Sequence, residues 1–319
     1  MADTAAYSTA AGVESAIKNA AKTAAAADPS LDVGKRIQLE YFNRFLSRVF
    51  SEGEGSDWVL KGGTGILARI PSTRSTRDID LYRRGYSLDR ALEDLRRLSR
   101  IDLHDHFTFE YAGHSDSIGT DTQPYTDGYR VKFNVFIGIS NRGTVHVDLA
   151  VGAGITDQIT ASRPVSALPL PRLTSHAYRL YPVVDQIADK VCATMTRYGE
   201  RDSTREKDLV DLVAFATTHD IDGGALRTAI LTEAQRRRMM PFDHFTIPAG
   251  WGPGYARLSR PVPHCAAYST AALAAALIVT LIDPALSGTA IGRTWMHHVL
   301  DWTRSAPAPS GSMECAGSA

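Results

Sequence analysis

Cysteine is scarce in this chain of 319 residues: Cys192, Cys265 and Cys315 lie far apart and make no Cys-x-x-Cys pair. The scarcity argues against a disulfide framework and against a zinc site, and it fits a reducing cytoplasm. An excess of charge of either sign is missing too, since Lys plus Arg and Asp plus Glu both number 35. Net charge therefore gives no hint of a nucleic-acid partner; stable DNA binding is not expected, and any surface for RNA must be local. No secretory leader is expected, because the Ala-rich start carries Asp3, Glu14, Lys18 and Lys22 where an apolar core would have to run. Long hydrophobic runs are also lacking. The best, Cys265 to Ile282, contains Ser269, Thr270 and Thr280 with many alanines and ends at Asp283-Pro284. It reads as a buried or half-buried helix rather than a membrane span, and no membrane partner is expected. The length suffices for one large domain or two, with a core of ordinary size.

What is present is concentrated between Val59 and Leu81. A strand-like segment breaks at Lys61-Gly62-Gly63-Thr64, and a second strand carries Asp78-Ile79-Asp80. On an extended segment residues two apart share a face, so Asp78 and Asp80 are expected to present two carboxylates together, a seat for Mg²⁺. Gly62 and Gly63 let backbone amides approach an anion, and the apolar stretch Ile66 to Ile70 begins a helix whose N-terminus favours negative charge. Together these parts suit a nucleoside triphosphate with two metal ions, which stabilise the entering and leaving oxygens of an in-line displacement at phosphorus. Gly-Gly alone is a turn signal and Asp-x-Asp alone occurs by chance; their order and spacing carry the reading.

The rest of the chain reads as an α/β (α+β) protein in four parts: an Ala-rich segment over 1–30, a mixed-sheet domain over 31–165, a mostly helical region over 166–304 and a disordered tail over 305–319. Met1 to Pro29 is a frayed helix or a tail. Asp32 to Phe50 is a better helix, with Val33, Ile37, Tyr41, Phe45 and Val49 on one stripe, and Leu88 to Leu98 is an Arg-rich amphipathic helix. Alternation marks strands at Phe107, Phe109 and Tyr111, at Tyr129 to Ile137 and at Thr144 to Val151, where His146 and Asp148 face away from Val145, Val147 and Leu149. Pro164, Pro169 and Pro171 mark a linker. A helix over Val183 to Tyr198 carries Lys190 at the edge of its apolar stripe, its ammonium free to snorkel towards a cleft. A second, Thr204 to Thr217, opens on a capping-box pattern, Ser203 with Glu206, and places Asp208 and Asp211 on one face. Arg96, Arg97 and Arg100, like Gln235 to Arg238, are solvated faces or phosphate contacts, with the former favoured. Pro241 to Pro263, with Trp251 and Tyr255, is expected as a long loop that covers the cleft or binds an acceptor.

The run Lys61-Gly62-Gly63-Thr64 followed by Arg74-Ser75-Thr76-Arg77-Asp78-Ile79-Asp80 resembles the signature of the AbiEii/AbiGii-type nucleotidyltransferase toxins, including the mycobacterial MenT group. That family shows Gly-Gly-Ser/Thr and then Arg-x-Ser/Thr-x-Asp-x-Asp. Asp185 to Ala193 is similar to its lysine helix, and Arg205 to Leu212 to its closing Arg and Asp-Leu-x-Asp-Leu. The likeness covers residues from about 38 to 215. It implies a nucleotidyltransferase-like sheet domain; catalytic Asp78, Asp80, Lys190 and Asp211, with Asp148 as a third metal carboxylate; Lys61, Gly62, Gly63, Thr64, Arg74, Thr76 and Lys190 around the nucleotide; and Mg²⁺ at Asp78, Asp80 and Asp148. It further implies a toxin with a cognate antitoxin, acting on the tRNA acceptor end. Nucleotidylation of a protein or a small molecule, or a regulatory module that binds nucleotide without turnover, are the alternatives.

Overall fold

The alternating apolar residues of the middle of the chain pair into a sheet whose two faces have different fates. The structure, a computed structural model, describes residues 6–116, 128–152, 154–197 and 202–304. Its first half runs α1 (Ala10–Ala27), α2 (Val33–Val49), β1 (Trp58–Lys61), α3 (Gly62–Arg69), β2 (Ile79–Arg84), α4 (Leu88–Leu98), β3 (Phe107–Ser115), β4 (Gly128–Ile137), β5 (Ser140–Gly152), β6 (Thr160–Ser162) and β7 (Tyr178–Leu180). The second half is α5 (Val183–Met195), α6 (Glu206–Ala216), β8 (Ile221–Asp222), α7 (Gly223–Arg236), α8 (Pro253–Ser259), α9 (Ala271–Ser287), β9 (Arg293–Met296) and β10 (Asp301–Arg304). Short polar side chains start several helices where they satisfy free amides: Thr9, Asp32, Ser87, Asp222 and Thr270 each accept a hydrogen bond from a first-turn N–H.

Seven strands form a mixed sheet in the order β3-β4-β5-β2-β1-β7-β6, with parallel pairs only at β5–β2 and β1–β7. One face buries Leu60, Ile79, Leu81, Val131, Val147 and Leu149 against α1, α2 and α4. The opposite face carries a cross-strand row, because Arg130 pairs with Asp148, Asp148 with Asp80, and Asp80 with Lys61. Directly paired residues share a face, so four charges, of signs plus, minus, minus, plus, lie side by side across β4, β5, β2 and β1. Beside this row on the same face, Val59, Tyr82, Ala150 and Tyr181 make a small apolar floor.

The helices after β7 close over a second core of Leu209, Leu212, Phe215, Tyr255, Ile278 and Leu281 among others. The helix α3 belongs to both cores: Ile66, with Ile70 just past its end, enters the second, and Ala68 the first. Several expectations are revised here. The Ala-rich start is neither frayed nor a tail over Ala10–Ala27, because Val13, Ile17 and Ala21 recur every four residues and bury one stripe of α1. Pro241 to Pro263 is no open cover: Phe245, Tyr255 and Val262 are buried in the second core, the Tyr255 hydroxyl donates to the Tyr268 carbonyl at 2.7 Å, and α8 forms inside the segment. The apolar run near Cys265 becomes α9, and no helix of the described residues is long and apolar enough to cross a membrane. The proposed tail over 305–319, Tyr198 and the first five residues lie outside the described residues.

Candidate active site

The glycine turn and the carboxylate strand meet by close approach. Gly62 opens α3 directly from β1 with φ of +62°, and a Cβ there would stand 1.9 Å from the Asp80 Oδ2. Only glycine satisfies both the left-handed backbone and the contact. Gly63 is similarly pressed, with the Thr76 hydroxyl 2.9 Å from where its Cβ would be. The hydroxyls of Thr64 and Thr76, expected around the nucleotide, both donate to the Asp78 carbonyl, at 2.9 and 3.3 Å. They fix the entry to β2 and so the position of the aspartates.

Asp78 and Asp80 are set differently from the expectation of a matched pair. Asp80 lies in the strand, but β2 begins at Ile79, so Asp78 precedes the regular ladder. Arg130 reaches the Asp78 Oδ2 at 3.3 Å and holds Asp148 through two bonds, Nε to Oδ1 at 2.8 Å and Nη2 to Oδ2 at 2.9 Å. Asp80 makes no hydrogen bond or ion pair with any described residue. Burial, then the neighbouring Asp148 charge, pushes its carboxyl up to about 6; burial also raises Asp148 in spite of Arg130. A hard divalent cation suits such oxygen donors. Asp80, unpartnered and in register with Asp148, fits one; Asp78 and Asp148 are engaged by the Arg130 guanidinium, which stands where a positive charge is wanted. The three carboxylates do not gather into one tight group: among the described residues the only three potential ligands with atoms mutually within 4.8 Å lie elsewhere, at Asp220, His297 and His298.

The helical wall is an ion-pair lattice. Lys190 is buried on α5, and its Nζ donates to the Asp211 Oδ2 at 2.6 Å and the Asp208 Oδ1 at 3.2 Å. Arg74 clamps Asp211 bidentately, at 2.8 and 2.6 Å, and Arg205 donates to the Asp208 Oδ2 at 2.5 Å. Against the cost of burial, Lys190 and Arg205 hold the Asp208 carboxyl well below its usual range. Lys190 is thus not a free ammonium snorkelling into the cleft; the two acids of α6 neutralise it. The capping box is absent as well. The helix α6 begins at Glu206, and the Ser203 hydroxyl instead donates to the Ala193 carbonyl at 2.9 Å, tying the α5–α6 connection to the end of α5.

Sheet row and helical wall enclose a cleft of about 90 Å³ lined by Lys61, Gly62, Gly63, Asp80, Asp148, Lys190 and Lys207 among others. Sequence reasoning left three of its residues, and Arg130 beside it on the sheet row, without a role. Lys207, with no ion pair to any described residue, has its ammonium pKa lowered by burial and by Arg205. Arg205 lines the cleft, as does Asp189, whose carboxyl is brought down to about 2: burial opposes this, and Arg237 and Lys61 outweigh it. Arg130 is the fourth. Arg205 and Lys207 lie inside the closing motif and Asp189 adjoins Lys190, whereas Arg130 becomes visible only once β4–β5 register is known. Part of the basic runs is spent on acids, Arg97 on Glu52 and Asp94, Arg236 on Glu233, and Arg237 on Glu233 and Asp189, while Arg96 lies over the Tyr111 ring.

A family model described as nucleotidyl transferase AbiEii toxin, type IV toxin–antitoxin system, matches residues 44–283. Among solved structures, Helicobacter pylori JHP933 aligns at 14% identity and a TM-score of 0.39 over 78% of this chain and 92% of its own. A Helicobacter pylori protein described as a proposed nucleotidyltransferase aligns at 15% identity and a TM-score of 0.39, over 79% of this chain and 96% of its own. Comparison with curated proteins gives no significant match.

Proposed function

The chain belongs to the nucleotidyl transferase AbiEii toxin family of type IV toxin–antitoxin systems, and from that premise we propose the reaction, its metal and its acceptor. The protein transfers a nucleoside monophosphate from a nucleoside triphosphate to an acceptor hydroxyl, that of the tRNA 3′ end, and so blocks aminoacylation in the cytoplasm until its antitoxin intervenes. The observation that carries this reading is the unpartnered Asp80 carboxylate, in register with Asp148 and pressed against the Gly62 turn.

Asp80 would hold Mg²⁺, with Asp148 and Asp78 joining it where the ion takes the place of the Arg130 guanidinium, and the ion would draw off the charge that develops on the attacking and leaving oxygens. The chain's own residues do the rest. Lys61 and Lys207 offer ammonium groups to the phosphates at the cleft, and the glycine turn lets backbone amides approach them. Arg74 and Thr76 hold the loop before β2, while Lys190 and Asp211 fix the helical wall against it. The acceptor hydroxyl gives up its proton, its oxygen bonds to the α-phosphorus, and pyrophosphate leaves.

Incubation with total tRNA, Mg²⁺ and each labelled nucleoside triphosphate in turn, beside the Asp80→Ala variant, tests this. Label enters tRNA with the parent and drops by at least about 10²-fold with the variant, the scale of losing a group that acts only in the transition state. Equal labelling by both refutes the site; label in protein and none in tRNA refutes the acceptor.

A further inference from the structure

Two of the three residues that meet at the far end of α6 lie beyond residue 283, where the family match stops. The hairpin of β9 and β10 folds back onto β8, with Ile221 opposite Trp295, and the buried Trp295 donates its indole N–H to the Ala216 carbonyl at the last residue of α6, at 2.8 Å. This anchoring brings His297 and His298, at the hairpin turn, against Asp220 in the α6–β8 connection. The Asp220 Oδ1 stands 2.7 Å from the His297 Nδ1 and accepts from the His297 backbone N–H at 3.1 Å. The two imidazoles cross edge to face with centroids 5.6 Å apart, and one ligand atom from each of the three side chains lies within 4.8 Å of the other two.

We propose that Asp220, His297 and His298 bind a zinc-class divalent ion that fastens the C-terminal hairpin to the end of α6, a site separate from the carboxylate row. Two imidazole nitrogens and one carboxylate oxygen are a donor set for Zn²⁺ or its neighbours and not for Mg²⁺, which prefers oxygen alone. Ligand atoms around one tetrahedral zinc stand about 3.3 Å apart, given metal–ligand bonds of roughly 2.0–2.1 Å, a spacing that rotation of the exposed Asp220 and His298 side chains about the half-buried His297 would supply from the present separations within 4.8 Å. The ion takes the place of the hydrogen bond between the His297 Nδ1 and Asp220, any proton on that nitrogen passing to solvent, and water fills the remaining position. The shortage of cysteine that spoke against a zinc site leaves this other donor class untouched.

The test uses the full chain, stripped with EDTA and desalted, titrated with ZnCl₂ in a calorimeter alongside His298→Ala and Asp80→Asn. The parent and Asp80→Asn share one equivalent taken up at the same affinity, any further equivalent at the carboxylate row being confined to the parent, and His298→Ala binds the shared equivalent about tenfold or more weakly. Because His298 is exposed, the variant keeps the fold, which circular dichroism verifies; Co²⁺ added to the parent gives visible absorption that the variant lacks. No zinc uptake by the parent, uptake unchanged in His298→Ala, or uptake lost in Asp80→Asn overturns the proposal. Since Asp80→Asn disables only the row of the proposed transfer reaction, failure there and failure here are distinguishable.

Discussion

Asp80 keeps its charge at a cost. Its carboxyl, pushed up to about 6 by burial and by Asp148, binds a proton more tightly in the folded chain than in the unfolded one, where the ordinary value is 3.8. In the metal-free protein the folded state therefore holds the extra proton between about pH 4 and 6, so this residue's contribution to stability is greatest below pH 4 and is lost as pH rises through 6. Asp80→Asn removes that penalty. Urea unfolding should show the variant more stable than the parent by on the order of 3 kcal/mol at pH 7.5, since a tenfold difference in proton affinity is worth about 1.4 kcal/mol, with the gap closing towards pH 4. A variant less stable at neutral pH would contradict the environment described for Asp80. Spacing and alternation in the sequence make Asp80 and Asp148 legible. They could not show that Arg130 engages Asp148 and Asp78, because that depends on which residues of β4 and β5 face each other across the ladder.

At the scale of elements, α5 and α6 are joined by charge as much as by apolar surface. Lys190 is buried between two acids that keep Arg74 and Arg205 as further partners. Lys190→Met keeps the stem and removes the ammonium. It should destabilise the fold by on the order of 2 kcal/mol in urea, less than the roughly 3–5 kcal/mol of a buried acid left wholly unpaired, because each acid retains a guanidinium. Unchanged stability with lost activity would instead restore the reading of Lys190 as a free phosphate ligand. Long periodic elements were readable: α4 spans Leu88–Leu98 as its pattern predicts, and α2, β4 and β5 agree within a few residues at each end. The elements without a distinct period were not. The strands β6, β8, β9 and β10 are two to four residues long, and the capping pattern at Ser203 was outcompeted by a buried carbonyl of α5.

At the scale of the whole molecule, composition excluded more than it identified. A net charge of zero coexists with a cleft where Lys61 and Lys207 stand among acids, and although the change of period after the prolines suggested a division between sheet and helices, β7 lies beyond them and still pairs with β1 in the sheet. What no sequence pattern announced is how the two cores are connected. The eight residues of α3 are shared between them, with Ile66, and Ile70 just past its end, on one side and Ala68 on the other, and the glycine turn at its first residue braces the Asp80 strand. Neither core can lose its packing without unseating a helix that the other requires. Heating should accordingly give one calorimetric peak with equal calorimetric and van't Hoff enthalpies rather than two, which ties the thermal survival of the sheet to that of helices a hundred residues or more downstream.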